Sequence, residues 1–296
     1  MNERALILGG GGASGNAWAI GVVAGLFDAG LDVTEADLIV GTSAGSTTAV
    51  QISGRTRLPE LFADIIAAAA QVRTGPVAAD SKRVPNGPAA NHMEMTGGII
   101  AAAKSLGDMR RRMGAALLAM DGSSNASRQK QWRATVAARL PSDQWPHRRM
   151  LITAVDAHTG EPVVFERDSG VDLVDAVAAS CAGGFAYSVG DNQYIDGGYR
   201  ANENADLAGG YARVLVLSPL GGQSRHPVAW GTRLATQADE LRAGGSGVET
   251  IFPDRDSHNA IGVGMDLMDL SRRLPSARAG YEQGRALAER LTGFWR

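Results

Sequence analysis

The sequence predicts an α/β fold in which a mainly parallel sheet carries helices on its faces. Two observations support this prediction. Short apolar runs end at glycine-rich turns, and apolar residues then recur at helical spacing. This order of strand, turn and helix occurs twice within residues 4–52. Repeated strand–helix units are typical of a parallel sheet, because two parallel neighbours need a long crossover between them.

The first two units carry the clearest patterns. Arg4–Leu8 is a short apolar strand followed by four glycines, and a helix continues from there to Gly30. Asp37–Val40 is the second strand. Gly41–Gly45 forms a sharp turn bounded by glycine, and the helical stretch after it reaches about Ile52. Each turn therefore places small residues between a strand and the start of a helix.

The middle of the chain departs from this alternation. Its predicted helices cover Leu58–Val72, a stretch from Ile99 to Met120, and Asn125–Arg139. Arg73–Asn91 is rich in Pro, Gly and Ala and predicts an irregular segment. We expect residues 1–296 to form a single domain, with a helical cap inserted at about residues 73–148.

The second half returns to short strands and helices. Its predicted strands are Met150–Val155, Pro162–Phe165, Gln193–Ile195 and Val214–Leu217. The turn Thr159-Gly160 predicts that the first two of these strands pair. Helices are predicted over Val171–Ala179 and over a closing stretch that reaches Trp295.

Composition and charge exclude several classes of protein. Apolar residues make up 44% of the chain, and the formal net charge of −2 gives no overall attraction to nucleic acid. The single cysteine, Cys181, excludes an internal disulfide framework and a cysteine-rich metal site. No apolar run approaches the ~20 residues of a membrane-spanning helix, and the N-terminus lacks the apolar region of a signal peptide. We expect a soluble cytoplasmic protein that binds no nucleic acid.

The turn after the second strand contains a candidate nucleophile, Ser43. Gly41-Thr42-Ser43-Ala44-Gly45 matches the nucleophile elbow, a strand-to-helix turn that lifts a serine hydroxyl clear of a sheet. The glycines let the backbone segments approach closely, and the helix directs its N-terminal amides at developing negative charge. A five-residue motif also recurs by chance, and the alternative is an ordinary serine at a helix N-terminus. The flanking strand and helix favour the nucleophile.

A serine nucleophile needs a base, and the sequence offers two kinds. A triad of the α/β-hydrolase type would use a histidine late in the chain, for which His226 and His258 are the candidates, although neither lies in a recognisable motif. The other candidate is Asp196, between an apolar strand and Gly197-Gly198. An aspartate in that place is also typical of a simple Asp-Gly turn.

The glycine-rich turn after the first strand has two interpretations. The backbone amides of Gly10, Gly11 and Gly12 could form an oxyanion hole for a tetrahedral intermediate. Gly10-x-Gly12-x-x-Gly15 also fits the dinucleotide fingerprint of an oxidoreductase, in which the same loop holds a pyrophosphate. That interpretation requires an acidic residue at the end of the second strand. The strand ends instead in the turn with Ser43, which disfavours the nucleotide interpretation.

Three motifs in this order resemble the patatin-like phospholipase family: Gly10-Gly11-Gly12-Ala13-Ser14-Gly15, Gly41-Thr42-Ser43-Ala44-Gly45 and Asp196-Gly197-Gly198. Asp175–Ala182, Asn202 and Asn204 add to the resemblance, which spans about residues 5–220. It implies a three-layer α/β/α sandwich with a mainly parallel central sheet and a helical cap. The last 75 or so residues contribute little to it.

The resemblance also implies a function and a set of site residues. Ser43 and Asp196 would form a catalytic dyad that hydrolyses an acyl ester or lipid, without a metal or an organic cofactor. The oxyanion amides would come from Gly10, Gly11 and Gly12. The residues that support these motifs would be Gly15, Gly41, Gly45, Gly197 and Gly198. A catalytically silent member that acts as a binding module is the alternative within the family.

Two departures from the family pattern bear on the substrate. Many members carry Arg or Lys where this chain has Ser14, and Pro where it has Gly184. Without that cation, the resemblance leaves the head group of a lipid substrate open. A lone aspartate has a pKa of ~3.9 in water, so Asp196 has to be partly buried to act as a base near neutrality.

Local charge predicts one further partner. Residues 104–149 contain ten Lys or Arg against three Asp, in a chain that is otherwise acidic. These cations are consistent with the solvated faces of two helices. The alternative is a basic cap, including Arg110, Arg111 and Arg112, that makes peripheral contact with an anionic membrane.

Overall fold

One sheet organises the part of the chain that the computed structural model describes, which is residues 3–74, 88–120 and 125–296. Eight strands of this part form it: β1 (Arg4–Leu8), β2 (Leu38–Thr42), β3 (Arg149–Asp156), β4 (Pro162–Phe165), β5 (Tyr187–Val189), β6 (Asn192–Asp196), β7 (Arg213–Leu217) and β8 (Gly247–Ile251). Their order is β5-β6-β3-β2-β1-β7-β8, with β4 paired to β3. The five strands from β3 to β8 in this order are parallel, and the remaining pairings are antiparallel.

Helices cover both faces of the sheet. In the described ranges they are α1 (Gly12–Asp28), α2 (Ala44–Ile52), α3 (Leu58–Thr74), α4 (Pro88–Ala102), α5 (Leu106–Ala119), α6 (Asn125–Ala137), α7 (Leu173–Ser180), α8 (Leu234–Ala243), α9 (Arg255–Ile261) and α10 (Arg273–Trp295). Side chains of β1 alternate between two cores: Leu6 and Leu8 lie with α1 and α10, and Ile7 lies with α8. This arrangement confirms the predicted three-layer α/β/α sandwich with a mainly parallel sheet.

Strand β3 pairs with three strands, β2, β4 and β6, and these pairings set the positions of the candidate site residues. Both β2 and β4 pair with Ile152 and Thr153, so these two strands occupy opposite edges. Both β4 and β6 pair with Ala154, which puts β6 on the same edge as β2. Thr42 lies opposite Thr153 and Asp196 opposite Ala154. The C-terminal ends of β2 and β6 therefore meet at consecutive residues of β3.

Several predicted boundaries differ from those in the structure. The helix predicted from Ile99 to Met120 is interrupted between α4 and α5, where the Ser105 side chain accepts a hydrogen bond from the Asp108 amide and caps α5. Of the irregular segment predicted over residues 73–91, residues 75–87 lie outside the described part. Its two ends are helical, in α3 and α4. Sequence patterns also missed β5, β8, α8 and α9.

Helix α5 packs against the two strands that lead to the candidate site, β3 and β6. Met109, Met113 and Leu117 of α5 are buried against Val155 of β3 and Ile195 of β6. These contacts support the proposal of a helical cap at about residues 73–148, and they attach α5 to the two strands that position Asp196.

The closing helix α10 packs against α1 with almost no space between the two backbones. A Cβ atom at Gly21 or Gly25 of α1 would overlap a carbonyl oxygen of α10. Conversely, a Cβ atom at Gly280 or Gly284 of α10 would overlap a carbonyl oxygen of α1. Four glycines therefore allow this approach, which ties the last helix to the first and supports the proposal of a single domain.

Two substitutions in α10 test this packing. We expect Gly284→Ala to lower the free energy of unfolding by about 1–3 kcal/mol, since its methyl group would overlap the Val22 carbonyl. Gly293→Ala is the matched control, because an added Cβ meets no atom within 4 Å there and alanine favours a helix by up to about 1 kcal/mol. Denaturant unfolding measures both. Equal stability of the two variants would contradict the close packing.

Candidate active site

Ser43 lies in the tight turn between β2 and α2. Its backbone has φ 51° and ψ −122°, a positive-φ conformation that side-chain-bearing residues rarely adopt and that costs roughly 1–3 kcal/mol. A Cβ atom at Gly41 would lie 2.5 Å from the Cα of Ser46, and one at Gly45 would overlap the Leu8 carbonyl. The turn can therefore close only with glycine at these two positions, which presents the Ser43 side chain beyond the strand end.

The Ser43 hydroxyl donates a hydrogen bond to Asp196, with 2.7 Å between Oγ and Oδ2. The two residues meet because β2 and β6 end beside each other on one edge of β3. A Cβ atom at Gly197 would overlap Thr153, so glycine lets the chain turn away directly after Asp196. The structure thus brings together the two residues that the sequence predicts as nucleophile and base.

The Asp196 carboxyl group is enclosed by protein atoms, although the residue keeps some exposed surface. This burial raises its pKa from 3.8 to about 6. Two hydrogen bonds oppose the shift, from the Gly198 amide to Oδ1 at 2.7 Å and from Ser43 to Oδ2. The result is a carboxylate that is ionised at neutral pH yet basic enough to accept a proton from a hydroxyl group.

The end of α7 supports the turn from behind. The Ser43 amide donates to the Ser180 hydroxyl at 2.9 Å, and the Asp196 amide donates to the Ala182 carbonyl at 3.1 Å. Cys181 lies between them, with its sulfur 3.6 Å from the Ser46 hydroxyl. Burial raises the Cys181 pKa to about 11, so this residue remains a neutral thiol at physiological pH. Residues 180–182 therefore hold both halves of the candidate dyad.

A buried polar cluster lies beneath the site. The Thr153 hydroxyl donates to the Thr42 hydroxyl at 3.0 Å, and the Asn204 amide group donates to both, at 2.9 Å to Thr42 and 3.2 Å to Thr153. Asn204 adopts a left-handed conformation, with φ 55°, that directs its side chain inwards. This cluster joins the ends of β2 and β3 to the chain after Asp196, and Thr153 is the member that no sequence motif marked.

The glycine-rich loop after β1 lies against Ser43. A Cβ atom at Gly10 would be 3.5 Å from the Ser43 Cβ. The Gly10 amide already donates to the Asn202 carbonyl at 2.9 Å. In contrast, the Gly11 and Gly12 amides donate no hydrogen bond within the described ranges. Of the three amides predicted for an oxyanion hole, Gly11 and Gly12 are therefore the available donors, and Gly10 instead anchors the loop.

The C-terminal residues close the same loop from outside. The Leu267 carbonyl accepts a hydrogen bond from Ser14 at 3.3 Å, and Arg273 donates to the Ala13 carbonyl at 3.2 Å and to Asn16 at 2.9 Å. Sequence patterns did not connect these residues with the loop, because no local pattern marks a contact between chain segments more than 250 residues apart.

The two histidines considered for a triad lie elsewhere. His226 is buried with its Nδ1 3.1 Å from the Thr232 hydroxyl, and burial lowers its pKa to about 4. His258 is exposed on α9. Across the described residues, no histidine makes a hydrogen bond to Ser43 or Asp196. The geometry therefore favours the aspartate as base over a histidine.

The described residues contain neither a candidate metal centre nor a candidate membrane span. No group of three or more His, Cys, Asp or Glu residues there could hold a metal ion. Likewise, none of the helices in those ranges combines the length and apolar character needed to cross a bilayer.

A match to a protein-family model agrees with the sequence motifs. A family model described as patatin-like phospholipase matches residues 6–208. A solved structure of VipD from Legionella pneumophila aligns with 98% of this chain and 67% of its own, at 13% identity and a TM-score of 0.40. A search of curated proteins found no match.

The Asp196 environment predicts how the reactivity of Ser43 depends on pH. We expect covalent labelling of Ser43 by a fluorophosphonate to accelerate as pH rises through about 6, because only the ionised carboxylate can accept the hydroxyl proton. Second-order labelling rates between pH 4 and 8 measure this, with Asp196→Asn as the control that should remove the inflection. A flat profile, or an inflection near the ordinary aspartate value of 3.8, would contradict the assignment.

Proposed function

The chain belongs to the patatin-like phospholipase family, and from this premise we propose that it hydrolyses acyl esters through a dyad of Ser43 and Asp196. The family as a whole indicates a lipid acyl hydrolase. The observation that carries the finer proposal is the 2.7 Å hydrogen bond between the Ser43 hydroxyl and a desolvated carboxylate. The nucleophile elbow holds that hydroxyl at the edge of the sheet.

The first half of the reaction acylates Ser43. Asp196 takes the hydroxyl proton as Ser43 Oγ bonds to the ester carbonyl carbon, and the carbonyl oxygen becomes an oxyanion. Collapse of this tetrahedral intermediate breaks the bond to the alcohol. Asp196 returns its proton to the departing oxygen, so the alcohol leaves neutral and an acyl-enzyme remains.

The second half releases the acid. Asp196, ionised again, accepts a proton from a water molecule whose oxygen attacks the acyl carbonyl. The second tetrahedral intermediate breaks its bond to Ser43 Oγ, which recovers the proton from Asp196. Every proton transfer in this scheme uses the same carboxyl group, so the scheme requires no metal and no organic cofactor.

The oxyanion forms beside the glycine-rich loop. Gly11 and Gly12 stand at the N-terminal end of α1, where unpaired amides point out of the helix and the helix dipole favours negative charge. Their free amides support the proposal that they stabilise both tetrahedral intermediates. Gly10 would act by holding the loop to Asn202.

The substrate class follows from the strength of the base and from the site walls. A carboxylate with a pKa of about 6 is a weak base, which suits an alcohol leaving group better than an amine. Ser14 is fully buried and uncharged at the start of α1, so it offers no charge to a lipid phosphate. The family match supports lipid esters as the proposed substrate class, with phospholipase A activity as one form of it.

Contact with an anionic membrane through the cap has weaker support. Arg110 donates to the Gly160 carbonyl at 2.6 Å, and Arg112 pairs with Asp108 at 2.9 Å. Both guanidinium groups therefore already have partners. Arg111 and Arg112 are both exposed, and of these two it is Arg112 that is held in an ion pair. A peripheral contact in which Arg111 takes part remains a proposal.

The dyad is tested by removing each member. We expect Ser43→Ala and Asp196→Asn each to lower the turnover of nitrophenyl esters about a thousandfold or more, because nucleophile and base act as one unit. A panel of esters graded by chain length, together with phospholipids, measures turnover and acyl-chain preference. Wild-type turnover in either variant would rule out the dyad.

Histidine variants provide the control for this experiment. We expect His226→Ala and His258→Ala to retain turnover per folded molecule, with circular dichroism as the check on folding. A comparable loss in either variant would restore the triad.

Thermal-shift measurements with NAD(P) separate an ester hydrolase from the nucleotide-binding alternative, because only the latter gains stability from the dinucleotide.

The glycine loop is tested by two substitutions that displace the donor amides. At Gly11, an added Cβ would lie 2.6 Å from Pro219, and Gly12 combines φ 64° with a 2.6 Å approach to the Leu267 carbonyl. We expect Gly11→Ala and Gly12→Val to lower turnover by about a hundredfold, the usual effect of losing an oxyanion donor. Gly98→Ala is the control, since an added Cβ there meets no atom within 4 Å. Unchanged turnover in both loop variants would contradict the oxyanion role.

A further inference from the structure

Glu203 is a buried carboxyl group that the mechanism above does not use. It lies seven residues after Asp196 and is 1% exposed. Its Oε1 accepts a hydrogen bond from the Ser218 hydroxyl at 2.7 Å. Its Oε2 is buried with no hydrogen-bond partner among the described residues. A polar side chain this deeply enclosed, with one oxygen unpaired, calls for a physical explanation.

Glu203 lies where three segments meet around the glycine-rich loop. Its side chain packs on Gly9, where an added Cβ would lie 3.3 Å from the Glu203 Cγ. Its preceding residue, Asn202, accepts the hydrogen bond from the Gly10 amide. Its partner Ser218 also accepts a hydrogen bond from the Gly222 amide, at 2.8 Å. The side chain therefore contacts the start of the loop and the end of β7 at the same time.

The end of β7 forms the outer wall of the glycine-rich loop. The Leu217 carbonyl accepts a hydrogen bond from the Gly9 amide at 3.0 Å. Pro219 lies so close to the loop that a Cβ atom at Gly11 or Gly15 would be within 2.9 Å of its ring. Any shift of Ser218 and Pro219 would consequently move the Gly11 and Gly12 amides relative to Ser43.

We propose that Glu203 is a positioning residue for the hydrolysis reaction and acts in its uncharged form, by fixing Ser218 and Gly9 so that the Gly11 and Gly12 amides stay aligned with Ser43. This proposal rests on the proposed function. Glu203 does not touch the reacting atoms. It acts through the two segments that enclose the oxyanion donors.

Among the residues that the structure describes, no cationic side chain acts as a counter-charge for an ionised Glu203. Asp196, on the same segment, is directed at Ser43 and Gly198. Arg200 is engaged by Asn204 and Asp206. The glycine-rich loop contributes only glycines, and β7 contributes the Ser218 hydroxyl. Burial accordingly raises the Glu203 pKa to about 7. The hydrogen bond from Ser218 opposes this rise by stabilising the ionised form.

Ionisation of Glu203 should therefore disturb the loop. A buried carboxylate with an unpaired oxygen draws in water or rearranges its neighbours, and both responses displace Ser218 and Gly9. Activity should then depend on two carboxyl groups in opposite ways. Asp196 has to be ionised and Glu203 has to be protonated, which confines the activity of the wild type to a window near pH 6–7.

The kinetic experiment compares Glu203→Gln with Glu203→Ala. Glutamine keeps an acceptor for Ser218 and cannot ionise, so we expect near-wild-type kcat at pH 6.5 and no loss of kcat/KM as pH rises through about 7. Alanine removes the contact and should lower kcat about tenfold to a hundredfold with little change in KM, since only transition-state alignment is lost. The proposal is overturned if Glu203→Gln retains the alkaline loss of the wild type or if Glu203→Ala keeps wild-type kcat.

Ser218→Ala provides a second variant that leaves Glu203 in place. It removes the hydrogen bond that lowers the Glu203 pKa, so the alkaline loss of kcat/KM should move to higher pH. A shift to lower pH, or an unchanged position in a variant that melts as the wild type does, would overturn the coupling of Ser218 and Glu203.

A stability measurement separates this proposal from the proposed function, because it needs no substrate. The folded-state pKa of Glu203 lies above its ordinary value of 4.5, so the stability it contributes is fully present below pH 4.5 and is lost as pH rises to about 7. The wild type should lose stability over this range, and Glu203→Gln should lose less. Parallel profiles would overturn the protonated state of Glu203, whereas absence of ester turnover in the wild type would contradict the proposed function.

Discussion

The candidate site depends on one edge of β3, which β2 and β6 share end to end. Strand β2 runs parallel to β3 and β6 runs antiparallel to it. Their C-terminal ends therefore approach the same point of this edge from opposite directions. Asp196 is the last residue of β6 and Ser43 directly follows the last residue of β2, so backbone pairing brings the two residues together before any side chain is placed. The contacts from α7, the threonine–asparagine cluster and the glycines of both turns then hold a geometry that the sheet has already determined.

The features that the sequence predicted are those with a local physical cause. At Gly41, Gly45 and Gly197 a side chain would collide with backbone that lies a few residues away or on the neighbouring strand. Glycine is therefore needed next to Ser43 and Asp196, and these glycines form the motifs that the sequence shows. The alternation of strand and helix follows from side-chain burial, which also repeats locally. The predicted fold class and the motif order are accordingly present in the structure, and the family model agrees.

The features that the sequence missed come from contacts between distant residues. Leu267 and Arg273 reach the glycine-rich loop from the far end of the chain, and nothing near either residue indicates that contact. The break between α4 and α5 depends on the Ser105 cap, which apolar spacing alone does not detect. The environment of Glu203 was equally hidden, because an Asn-Glu-Asn segment is typical of an exposed turn and only the packing of β7 encloses its carboxyl group.

The glycine-lined contact between α1 and α10 has a consequence for where the functional unit of this protein stops. The family model matches residues 6–208, a boundary that falls before β7, β8 and α10. A polypeptide cut at that boundary would leave the glycine face of α1 as bare backbone in water, and β1 would become an edge strand open to pairing with other chains. We therefore expect the unit able to fold to extend beyond the region shared with the family, because exposed backbone and an open strand edge both favour aggregation.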